Sequence, residues 1–97
     1  MYGTVAKMKV KPGAGDLLAE FDKQMKDDRP PGMVGVWVYK MDADPDEIFM
    51  AVAFQSKEAY WANASSPEQD KRFRRMRELL AADPEWHDGE IINPDAS

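Results

Sequence analysis

The stretch Ile48–Phe54 is apolar at each of its seven positions, and no other feature limits the fold so strongly. It is far short of the ~20 residues a membrane helix needs. Bounded by turn signals, it reads as a β-strand with two apolar faces. Met33–Tyr39 behaves in the same way, with Val34, Val36 and Val38 on one face, Met33, Trp37 and Tyr39 on the other, and only Gly35 interrupting. An antiparallel sheet with one wet face alternates apolar and polar residues. A sheet built from these two strands therefore needs cover on both sides.

The rest of the chain supplies helices for one side only. Tyr2–Val10 reads as a strand with Val5, Lys7 and Lys9 on one face and Thr4, Ala6, Met8 and Val10 on the other. Pro12 and Gly13 break it, and Asp16 is the expected N-cap of a helix. Leu17, Leu18, Phe21 and Met25 form that helix's apolar stripe, with Ala14 beside it and Asp22, Lys23 and Lys26 opposite. Arg29-Pro30-Pro31-Gly32 ends it. A second strand, Met33–Met41, a turn at Asp42–Asp46 and a third strand, Glu47–Phe54, follow. Ser56 caps a short helix running to about Ala64. Ser66-Pro67-Glu68-Gln69 opens another, with Ser66 at the cap, Pro67 in the first turn and Gln69 closing a capping box. Phe73, Met76 and Leu80 line its inner face, with Leu79 at the edge, and Asp83-Pro84 stops it. Trp86–Ile92 is the last strand, so residues 1–92 form one domain and 93–97 a loose tail. The order β-α-β, β-α-α-β specifies an α+β, ferredoxin-like sandwich: a four-stranded antiparallel sheet with helices on one face. A second copy of the chain is the economical cover for the other face. The expected assembly is a homodimer joined through its sheet faces, a dimeric α+β barrel.

Charge and composition exclude several classes of function. Thirteen basic against 18 acidic residues give a net charge of −5, which disfavours duplex DNA and anionic membranes as partners. With no cysteine there is no disulfide, no thiolate-held zinc or iron–sulfur cluster and no thiol nucleophile, and a single histidine leaves little for a metal site. Asp42, Asp44 and Asp46 imitate the start of a calcium loop, but Glu47 stands where that loop needs Gly and Ala53 where it needs a bidentate Glu. Pro12-Gly13-Ala14-Gly15 lacks the Lys-Ser/Thr of a phosphate loop. Met1–Val10 carries Lys7 and Lys9 where a signal peptide would be unbroken and apolar, so a soluble cytoplasmic protein is expected.

Pro31-Gly32 leading into Gly35-Val36-Trp37-Val38-Tyr39, then Ala53-Phe54-Gln55-Ser56-Lys57-Glu58-Ala59-Tyr60, then Asn63 and Ser66-Pro67-Glu68-Gln69, resembles the antibiotic biosynthesis monooxygenase domain over about residues 1–92. The resemblance implies a dimeric α+β barrel. In the family's cofactor-free oxygenases it further implies that a bound phenol or hydroquinone is deprotonated and reacts, as an electron-rich anion, with dioxygen in a dry pocket. Asn, Trp and Tyr are the pocket residues of such members. Here Tyr60, Trp61 and Asn63 on the short helix, with Trp37, Tyr39 and Trp86 on strands, supply those types. Heme-degrading members use a helical histidine and an Asn on the first strand. This chain has neither, so no heme or other cofactor is expected.

His87 is the only side chain whose unperturbed pKa lies near neutrality, which makes it the first-choice proton shuttle, with Tyr60 as the other relay. Strand alternation points Asp88 away from it. Arg77 follows Phe73 by four residues and lies at the edge of the apolar helix face, where it either snorkels or holds an anionic group. The cations of Lys71–Arg77 spread around the helix, as a solvated surface does. The expected site thus has Asn63 and Trp61 positioning a substrate, His87 or Tyr60 moving protons, and Trp37, Tyr39, Arg77 and Trp86 contacting the ligand. The alternative is a non-catalytic dimeric barrel that binds a small hydrophobic ligand or acts as an accessory or stress protein, with Tyr60 and Trp61 serving only to pack the helix on the sheet.

Overall fold

The computed structural model describes residues 1–24, 29–93 and 95, without the side chains of Asp22 and Gln24. Its elements are β1 (Tyr2–Lys9), α1 (Gly15–Gln24), β2 (Met33–Lys40), β3 (Glu47–Phe54), α2 (Lys57–Ala64), α3 (Pro67–Arg77) and β4 (Glu85–Glu90). The strands form one antiparallel sheet in the order β2-β3-β1-β4. α1 therefore crosses over β3 to link the parallel strands β1 and β2, and α2–α3 crosses over β1 to link β3 and β4. That is the ferredoxin-like α+β sandwich. Among the described residues no helix is long and apolar enough to cross a membrane.

Sequence explains most element ends. Pro31 and Gly32 occupy the middle of a tight turn closed by Met33 N–H donating to Pro30 O at 3.2 Å. Gly32 has φ +82°, as the third residue of a type II turn requires. The turn before β3 is stapled by its aspartates: Asp44 Oδ1 accepts from Asp46 N–H at 3.0 Å, and Asp46 Oδ1 accepts from Gly13 N–H at 3.2 Å. Lys9 pairs with Asp44, which raises the lysine pKa and lowers that of the carboxyl. Asp16 is not the α1 cap. The helix starts at Gly15, Ala14 O takes the Leu18 N–H at 3.0 Å, and the Asp16 carboxylate pairs with Lys40 at 3.2 Å. Met25 and Lys26, assigned to that helix from sequence, lie outside the described residues, as does most of the 93–97 tail.

Pairing register assigns the sheet faces, because side chains alternate along each strand. Ala6, Met8, Ile48 and Leu18 are at most 2% exposed and, with Val10, Ala14, Met76 and Leu80, fill the space between sheet and helices at one end. Leu17, placed in the α1 stripe from sequence, is exposed; Ala14, Leu18 and Phe21 form the inward stripe instead. One strand departs from simple alternation. The register steps from Met33↔Phe54 to Gly35↔Ala53, so Val34 is an extra residue in a bulge. Met33 consequently joins Phe54 on the helix side, not Trp37 and Tyr39 as strict alternation predicts.

The outer face carries the row Trp37–Ala51–Val5–His87 and, beside it, Tyr39–Phe49–Lys7–Glu85. Val5, Trp37 and Tyr39 are each about half exposed, at 49%, 50% and 53%. The helices leave this apolar face uncovered, as the two-faced strands require.

Candidate active site

The layer between sheet and helices is filled at the Met8–Ile48 end and hollow at the other. A cavity of about 520 Å³ opens there. Its floor is one row across all four strands, Asp88–Thr4–Val52–Val36. Its roof comes from α2 and α3, with Phe21 and Lys23 of α1 and Arg29 and Pro30 also lining it.

Local capping aims the roof residues. Ser56 Oγ accepts the Ala59 N–H at 3.1 Å and starts α2, which sets Tyr60 and Asn63 one turn apart over the cavity, with Trp61 at its rim. Ser66 starts α3 by accepting from Gln69 N–H at 3.2 Å. The capping box stays half formed. Ser66 N–H donates to Asn63 O at 2.9 Å, and the Gln69 side chain turns to the cavity, where its Oε1 accepts from Asn63 Nδ2 at 3.4 Å.

Tyr60 is the centre of the site. Its ring meets Tyr2, Phe54 and Trp61 edge-on at centroid separations of 5.2, 5.6 and 5.2 Å. Its hydroxyl donates to Asp88 Oδ1 at 2.7 Å. Burial, and then the Asp88 carboxylate, push its pKa well above the ordinary tyrosine value, so the phenol keeps its proton and acts as a donor. The Thr4 hydroxyl lies near enough to act weakly in the opposite sense. Yet Thr4 Oγ1 is buried without a hydrogen-bond partner of normal geometry. An unmade bond of that kind costs about 1–3 kcal/mol.

The structure divides the residues picked out by sequence. Tyr60, Trp61, Asn63 and Trp86 border the cavity, Trp86 packing at 6.0 Å from Phe73. His87, Trp37 and Tyr39 do not. His87 pairs with Val5 on the outer face, where Nε2 lies 2.8 Å from Glu85 Oε1, two residues away on the same side of β4. Arg77 points away as well, and its guanidinium pairs with Asp83 at 2.7 Å. A strand delivers alternate residues to one face, so β4 sends Trp86 and Asp88 to the cavity and His87 to the other side. Thr4 and Asp88 also border the cavity, and residue type alone does not single them out. Thr4 was visible as the one polar residue among Ala6, Met8 and Val10, and Asp88 as the partner in parity of Trp86.

This architecture is that of solved antibiotic biosynthesis monooxygenase structures. A protein from Chloroflexus aurantiacus described as one is 28% identical, with the likeness covering 98% of this chain and 96% of that one at a TM-score of 0.80. SnoaB, a cofactor-independent oxygenase from Streptomyces nogalater, solved as a mutant, superposes with a TM-score of 0.80 over 97% of each chain at 14% identity, a likeness of fold alone. So does a Nitrosomonas europaea protein of unknown function, at 16% identity, TM-score 0.77, and 99% and 93% coverage. The chain matches no family model and no curated protein.

Proposed function

We propose that the protein is a cofactor-independent monooxygenase that oxidises a phenolic or quinol-type aromatic with dioxygen. The observation that carries this reading is the 520 Å³ cavity, sized for a small aromatic ligand and walled by aromatic and aliphatic side chains, with Thr4, Asn63, Gln69 and charged residues also bordering it. The likeness to a protein described as an antibiotic biosynthesis monooxygenase supports it. With an anthrone, the ring methylene loses both hydrogens and gains one oxygen atom, becoming a ketone. The other oxygen atom leaves with those two hydrogens as water, and the substrate carbon supplies all four electrons. In this reading Trp61 and Trp86 flank the ring, and the Asn63 amide holds the developing oxyanion. Oxygen uptake with an anthrone or hydroquinone tests it: wild type consumes oxygen, and Asn63→Ala and Trp61→Ala lower kcat/KM by roughly 100-fold, the scale of losing an oxyanion donor. Undiminished turnover in both variants would remove these residues from the reaction.

The second copy of the chain belongs to the same proposal. It covers the face bearing Val5, Trp37 and Tyr39, and places His87 at or beside the interface. Equilibrium sedimentation at micromolar concentration is expected to give twice the mass of the chain. A monomer would leave the outer face without its proposed cover.

A further inference from the structure

The floor of the cavity changes character along one row. Val36 and Val52 are aliphatic, Thr4 is a hydroxyl, and Asp88 is a carboxylate. Thr4 is only 5% exposed, and its Oγ1 is unpaired although it borders the cavity. Asp88 stands directly opposite it across the β1–β4 ladder, and such pairs hold their Cβ atoms about 5 Å apart. Tyr60 engages Asp88 Oδ1, and a carboxylate has acceptor capacity at both oxygens. Among the described residues Thr4 Oγ1 has no acceptor at hydrogen-bond geometry, only the nearby Tyr60 oxygen, and it sits beside an exposed carboxylate with acceptor capacity to spare.

We propose that Thr4 and Asp88 together read the hydroxyl of a neutral phenol, with the aromatic ring lying over Val52 and Val36. Thr4 Oγ1 donates to the phenol oxygen, and the phenol O–H donates to Asp88. The inference deepens the proposed reaction and rests on its placing the substrate in this cavity. It also sets the class of ligand: an uncharged hydroxyl-bearing aromatic, disfavouring a carboxylate, which Asp88 repels. Lys23, Arg29 and Arg72, with Asp70, also border the cavity, so an anionic aromatic is the discriminating competitor.

Three probes of like size test it on the intact protein: 1-naphthol, 1-methylnaphthalene and 1-naphthoate. Naphthol is expected to bind about 10-fold more tightly than methylnaphthalene, the scale of one to two hydrogen bonds, and naphthoate more weakly than naphthol. Thr4→Val, which preserves shape, and Asp88→Asn each lower naphthol affinity by roughly 5-fold or more and leave methylnaphthalene affinity unchanged, which also shows that the cavity remains folded. Thr4→Ser restores naphthol binding. Equal affinity for naphthol and methylnaphthalene, naphthoate binding most tightly, or parallel losses for both neutral probes would overturn the assignment. Naphthol selectivity without oxygen uptake on an anthrone retains this inference and defeats the oxygenase. Uptake without that selectivity does the reverse.

Discussion

Gly3→Ala is expected to destabilise the protein by about 3 kcal/mol, and Gly89→Ala by less than about 0.5 kcal/mol. Both glycines lie in the same cross-strand row, Gly35–Ala53–Gly3–Gly89. A Cβ built on Gly3 meets the Val52 carbonyl oxygen at 1.8 Å and its carbon at 2.9 Å, whereas one on Gly89 meets nothing within 4 Å. The obstacle at Gly3 is backbone, which cannot swing aside like a side chain, and β1 is held by strands on both sides. Its φ is not positive, so close approach alone excludes a side chain. For a domain of this size such a loss lowers the melting temperature by roughly 15 °C. Thermal unfolding followed by circular dichroism gives the comparison, and equal melting of the two variants would contradict it.

Val52→Trp is expected to abolish ligand binding, by about 100-fold or more, while moving the melting temperature by only a few degrees. Adding bulk to a packed core costs about 1–3 kcal/mol because neighbours must move. Val52 faces an existing hollow between Thr4 and Val36, so an indole there enters empty space. Ligand titration beside a thermal melt separates the two effects. A collapse in stability would mean that the hollow is closed in solution. Retained binding would place the ligand elsewhere.

The helices and strands were legible because apolar spacing repeats at 2 in Tyr2–Val10 and near 3.6 in Phe73–Met76, but α3 ends at Arg77, and Leu80, expected on that helix, instead bridges to Val10. The two-faced strands also announced that one sheet face would lack cover. The Val34 bulge left no such mark, since one extra residue changes register without changing composition. Within the site, Tyr60, Trp61, Asn63 and Trp86 were recoverable from residue type and placement. His87 stands out in the sequence as the single histidine, but strand parity separates it from Trp86 and turns it to the outer face. Arg77 was chosen from its angular position on α3, and its partner Asp83 lies in the turn beyond the helix, where periodicity gives no direction. Thr4 and Asp88 meet only through the β1–β4 register, a long-range fact that no local pattern contains.

The proposed function has the hollow beneath α2 and α3 perform oxygen chemistry with the substrate's own electrons. Incubating flavin-free, chelator-treated protein with an anthrone under 18O2 tests it most directly. One dioxygen is expected to be consumed per anthrone, with a single 18O atom in the product ketone and a reaction roughly 100-fold weaker in Asn63→Ala. Saturable binding of the anthrone with no oxygen uptake would contradict it and leave a ligand-binding barrel in place of an enzyme.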